Sequence, residues 1–129
     1  MIKDGVIVDT SVFIDFLKGS KGNSEGVLNL LQTNQVFITG IILAELMQGI
    51  RNPKEEERLE SLMMGVNLLE INNSLWIKAG RLSSSLRRKG IHLPLTDTAI
   101  AILALENDLI LFTFDKHFSQ IPNLKLYKT

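Results

Sequence analysis

Cysteine is absent from the 129-residue chain, which excludes disulfides, thiolate nucleophiles and thiolate zinc sites. A metal would have to be held by oxygen, or by His92 and His117, the two histidines present. Charge of one sign is not in excess either: 14 Lys and Arg stand against 14 Asp and Glu, a formal net charge of zero. That balance removes whole-molecule attraction to a polyanion, so any nucleic-acid partner must be drawn by a local patch. Long apolar runs are also missing. The longest, residues 99–105, falls far short of the roughly 20 residues that span a bilayer. The apolar patch Val6-Ile7-Val8 stops at Asp9 with no small-residue cleavage site behind it, so the expectation is a cytoplasmic chain with neither membrane segment nor secretory signal. No repeat, low-complexity tract or domain boundary interrupts the sequence, and its 45% hydrophobic content suits a single domain over residues 1–129 with one core.

What is present is an alternation of short apolar strands and helical patterns. Residues 5–9 read as a buried strand, and Thr10–Leu17 as a helix with Gly19 beyond its end. After a loop over residues 18–24, Val27, Leu28 and Leu31 mark the inner side of a second helix. Val36–Thr39 is the next strand, and Gly40 leads into a helix containing the stretch IILAELM, residues 41–47. Pro53 opens a helix to about residue 64 with Leu59, Leu62 and Met63 turned inward, and residues 66–71 make a third strand. Asn73 or Ser74 caps a long helix whose Leu75, Ala79, Leu82 and Leu86 form one stripe, closed by Gly90. A helix over residues 98–106, a strand over 109–113, a turn through Asp115 to Phe118 and a last strand over 124–127 complete the pattern. Such alternation predicts an α/β fold, a parallel sheet with helices on both faces.

Three aspartates fall in similar places. Asp9 directly follows a strand, Asp115 follows another by two residues, and Asp97 precedes a helix after Pro94-Leu95-Thr96. In open α/β sheets ligand chemistry gathers outside the carboxyl ends of the strands. Taken singly, each aspartate also suits an ordinary helix cap. Glu45 does not, because Ile41, Ile42, Leu43, Leu46 and Met47 surround it on what reads as a face turned from solvent. A salt bridge is no explanation: Arg51 and Lys54 lie beyond the three or four residues that pair on a helix. An ionised acid buried there without a partner would be heavily penalised.

The segments VIVDTSVFIDFLKG, ILAELMQGI, LPLTDTAIAILALENDLILFTFDKHF and IPNLKLY resemble, in order and over nearly the whole chain, a PIN-domain ribonuclease toxin of the VapC type. The resemblance implies a PIN-like three-layer fold with a five-stranded parallel sheet of order 3-2-1-4-5. It matches Asp9, Glu45, Asp97 and Asp115 to the family's four acids, and Thr10, Ser11 or Thr113 to the hydroxyls beside them. It also implies an RNA substrate, a VapB-type antitoxin that occludes the acidic pocket with a basic side chain, and a homodimer.

The chemistry agrees with that match. Two like charges about 4 Å apart at an effective dielectric near 20 repel by roughly 4 kcal/mol, so several carboxylates sharing a pocket call for a cation. Oxygen ligands select Mg²⁺, or Mn²⁺, over zinc or copper. The expected mechanism is metal-assisted hydrolysis of a phosphodiester, with Asp9, Glu45 and Asp97 holding the principal ion and Asp115 a second ion or the attacking water. Lys116, Arg87 and Arg88 are candidates to meet substrate phosphates, followed by Lys18, Lys21, Arg51 and Lys54. Arg87 and Arg88 also suit the negative end of a helix dipole and need no other purpose. His117 is expected to pack on its turn, and Trp76 to serve core or interface. Two rival readings are a silent PIN-like binding module and a phospho-acceptor signalling domain. The latter would want an aspartate ending the third strand, where Glu70-Ile71-Asn72 stands.

Overall fold

The computed structural model describes residues 4–19 and 23–128. Four parallel strands, β1 (Val6–Val8), β2 (Val36–Thr39), β3 (Asn67–Leu69) and β4 (Ile110–Phe112), lie in the order β3-β2-β1-β4. Val6 is paired with both Val36 and Ile110, so β1 is central. Every residue of β1 and β2 is buried, which requires cover on both faces of the sheet. The helices are α1 (Thr10–Leu17), α2 (Asn23–Gln32), α3 (Gly40–Gln48), α4 (Pro53–Met63), α5 (Asn73–Arg88) and α6 (Leu95–Glu106). Helix α1 packs on α2 and α3, while α5 packs on α6. Seven consecutive residues of α6, Thr98 to Ala104, are buried, as a helix enclosed on all sides must be.

The expected strand order holds, with one contraction. The fifth position is taken by a single parallel bridge between Leu126 and Leu111, carried by Leu111 N–H to Lys125 O at 2.9 Å and Tyr127 N–H to Leu111 O at 2.8 Å. Pro122 and a left-handed Asn123 (φ 68°) delay entry into the sheet, so residues 124–127 do not form a full strand. Other boundaries shift for local reasons. Asn72, not Asn73 or Ser74, caps α5, its side chain accepting from Leu75 N–H at 2.9 Å. Helix α6 begins at Leu95 rather than at 98, with Pro94 at its N-cap; the two amides that bond Pro94 O are those of Asp97 and Thr98. In α2 it is Leu30 that turns inward beside Val27, while Leu28 is exposed.

Candidate active site

The C-terminal ends of β1, β2 and β4 and the N-terminus of α6 meet on one edge of the sheet, and each delivers one of the four acids. Asp9 leaves β1 and starts α1. Its carbonyl accepts from Val12 and Phe13, but its side chain caps nothing. Instead the Asp9 carboxylate accepts from Thr113 Oγ1 at 2.8 Å and Ser11 Oγ at 3.3 Å. Thr113, just past β4, accepts in turn from Asp115 N–H at 3.0 Å, and Ser11 Oγ from Phe114 N–H at 3.3 Å. Two hydroxyls thus tie the segment after β4 to the start of α1. The third, Thr10 Oγ1, donates to Glu45 Oε1 at 2.7 Å and joins α1 to α3.

Burial pushes the Asp9 carboxyl up from its ordinary value, with repulsion from Glu45 adding to it and the bonds from Thr113, Thr10 N–H and Ser11 opposing it. Asp97 is affected more. Burial first, then repulsion from Asp9, Asp115 and Glu45, raises it from 3.8 to about 6, against a small opposing influence of His117. Asp115 moves the other way: the His117 N–H it accepts, followed by the His117 side chain, holds it below the ordinary range. Four acids from distant points of the chain therefore sense one another at a single place. Among the described residues no three His, Cys, Asp or Glu side chains are drawn into ligating contact.

Several expectations need correction. Glu45 is exposed. Ile42 and Leu46 face the core, and Glu45 sits on the flank of α3, reaching over to Thr10. The misreading arose because apolar neighbours need not be buried: Met47 is 39% exposed. As its spacing from Glu45 leads one to expect, Arg51 pairs elsewhere, with Glu55 at 3.2 Å. Asp97 is no cap either, since it stands in the first turn of α6, where a carboxylate favourably meets the helix dipole. Asp115 does cap, accepting from His117 N–H at 2.9 Å at the start of the 3₁₀ turn Lys116–Gln120. His117 does not pack on that turn; it is exposed, with Nδ1 2.7 Å from Asp115 Oδ1.

The candidate substrate cations divide. Lys116 is exposed next to Asp115. Arg87 and Arg88 close α5 on its exposed side, Arg88 donating to Ser84 Oγ at 3.2 Å, and neither is bonded to any of the four acids. Lys21 lies outside the described residues. Trp76 is 40% exposed and belongs to the surface of α5 rather than to the core. The donor set of the site is entirely oxygen: four carboxylates and three hydroxyls. Such a set fits a hard divalent cation.

The PIN domain family model matches residues 6–124. Among curated relatives, Ribonuclease VapC2 of Rickettsia felis is 27% identical over 126 residues, covering 93% of this chain and 94% of the relative. Ribonuclease VapC1 of Haemophilus influenzae is 28% identical over 125 residues, covering 92% and 93%. A chain of the DNA-bound VapBC complex of Salmonella typhimurium superposes with a TM-score of 0.83 over 95% of this chain and 96% of that one, at 23% identity, which establishes a shared fold. Sheet order, family match and the VapC-type relatives agree, and the chain belongs to the PIN domain family.

Proposed function

We propose that this chain is an endoribonuclease of the VapC type, the toxin half of a toxin–antitoxin pair, which hydrolyses RNA phosphodiester bonds with the help of a divalent cation. The observation that carries the reading is the convergence of four acids on one sheet edge: Thr113 joins Asp9 to the Asp115 amide, Thr10 joins α1 to Glu45, and Asp97 opens α6 beside them, its carboxyl raised by burial and by the other three. A structural acid is paired or solvated; one held among three others is poised for a cation. Asp9, Glu45 and Asp97 would hold Mg²⁺ or Mn²⁺, with Asp115 at a second position or beside the attacking water. The cation supplies Lewis acidity, lowering the pKa of water and offsetting charge on the phosphoryl oxygens.

The chain's own residues prepare that place. Thr113 and Ser11 keep Asp9 ionisable against its burial by hydrogen-bonding the charged form. Thr10 fixes the otherwise exposed Glu45 so that it faces the aspartates. His117 holds Asp115 ionised and oriented through both its amide and its ring. Lys116, exposed beside Asp115, is available to substrate phosphates, and Arg87 and Arg88 at the exposed end of α5 are further candidates. The VapBC composition of the matched complex supports a VapB-type antitoxin as partner, entering the acidic site with a basic side chain. Trp76 and Ile77, both exposed on α5, supply apolar surface for self-association as a homodimer.

The test is cleavage of single-stranded RNA by purified protein in Mg²⁺ or Mn²⁺, with Asp9→Asn alongside. The proposal requires cleavage by the wild type, loss of it in the variant, and unchanged circular dichroism. A wild type that binds RNA but never cuts it would instead identify a silent PIN-like module.

A further inference from the structure

A cleft of 470 Å³ opens between α1, α3 and α4, with Glu45 in its wall. It is continuous with the acidic site through that residue alone and uses none of the three aspartates. Its floor is apolar: Ile14 and Leu17 from α1, Leu46 and Ile50 from α3 and its exit, and Leu59 from α4. Ile14 remains 41% exposed there. Three cations stand around it, Lys18, Arg51 and Arg58. Arg51 is committed to Glu55, whereas Lys18 and Arg58 have no acidic partner among the described residues.

We propose that this cleft is the substrate subsite next to the scissile phosphate, with a nucleobase on the apolar floor and the flanking phosphates on Lys18 and Arg58. The inference rests on the ribonuclease reading above and deepens it. The volume lies within the roughly 300–1,000 Å³ of sites that enclose small ligands. A nucleotide has an apolar-faced ring joined to an anion, and the cleft offers an aliphatic floor and a cationic rim in the same arrangement. Because the chain carries no net charge, unpaired cations at the mouth of the site are what can draw an RNA strand toward four acids. Glu45 belongs both to the acidic site and to the cleft wall, so a strand whose phosphate meets that residue can extend a neighbouring nucleotide into this opening.

The experiment measures kcat and KM for wild type, Lys18→Ala, Arg58→Ala and Ile14→Ser. None of these side chains belongs to the acidic site, and all sit where truncation disturbs little of the core. The substrates are a single-stranded RNA oligonucleotide with a mapped cut and copies abasic on either side of that cut. Lys18→Ala and Arg58→Ala are expected to raise KM with kcat preserved. Each should flatten the log–log salt dependence by about 0.7, so that its deficit shrinks about 2.6-fold over a fourfold rise in salt. Ile14→Ser should lose about fivefold in kcat/KM on intact RNA and nothing on the RNA abasic at the one position that the floor holds. Equal losses on intact and abasic RNA, or unchanged salt slopes, would overturn the subsite. So would wild-type rates in all three variants, leaving the cleft to another occupant such as a peptide. A wild type that cuts no RNA is a separate result: it removes the ribonuclease reading and the subsite with it.

Discussion

Replacing Asp97 by Asn keeps the shape of the side chain and removes its charge. A carboxyl displaced from 3.8 to about 6 corresponds to about 3 kcal/mol against the ionised form, a ceiling. Because Asp97 is only half-buried, solvent screening reduces the figure to about 1–2 kcal/mol. The opposing effect is loss of a favourable carboxylate in the first turn of α6, about 0.3–1 kcal/mol. Repulsion wins, so in chelator near pH 8 the variant should be more stable than wild type by roughly 0.5–1.5 kcal/mol, a few degrees in Tm. The sign follows from proton binding: the folded wild type holds the Asp97 proton more tightly than the unfolded chain. Its stability therefore falls as pH rises from about 4 to about 6 and stays reduced above that. At pH 4.5 the advantage of the variant should vanish or reverse. Added Mn²⁺ should restore the wild type and not the variant. Urea denaturation at both pH values, with and without Mn²⁺, measures all of this. A variant several kcal/mol less stable in chelator, or a difference that ignores pH, would mean that Asp97 is a structural acid.

Three further outcomes follow from single contacts. Thr113→Val removes the 2.8 Å bond to Asp9 and the acceptor for Asp115 N–H; it should cost about 1–2 kcal/mol by urea melt and lower RNA cleavage about 10- to 100-fold. Asn72→Ala deletes the cap on Leu75 N–H and should cost about 1 kcal/mol with cleavage per folded molecule unchanged. Gly5→Ala would place a Cβ 2.7 Å from both Leu109 Cδ2 and Phe37 Cε1, an overpacking worth about 1–3 kcal/mol, read as a fall in Tm.

Much of the sheet edge was legible because its signals are local. VIV ending at Asp9 and VFIT ending at Gly40 are short apolar runs that stop at a helix start, and alternation with helices leaves a parallel sheet as the economical arrangement. The stripe Leu75, Ala79, Leu82, Leu86 placed α5 correctly for the same reason. Glu45 was legible as unusual but not as exposed. Whether Ile41, Leu43 and Met47 bury or line a cleft depends on α1 and α4, which arrive from elsewhere in the chain. The start of α6 was hidden by Pro94, which reads as a break and serves as an N-cap. The roles of Thr10, Ser11 and Thr113 could be suspected from their position, but which acid each serves is a matter of contacts 2, 35 and 104 residues apart. The elevation of Asp97 is legible only once all four acids share a location.

A divalent-ion titration into purified protein, followed by cleavage of a single-stranded RNA, bears on the four-acid site most directly. Activity should be absent in chelator, rise saturably with Mn²⁺ or Mg²⁺, and disappear in Asp9→Asn and Asp97→Asn at every ion concentration. Full activity in excess chelator, or undiminished activity in both variants, would contradict it.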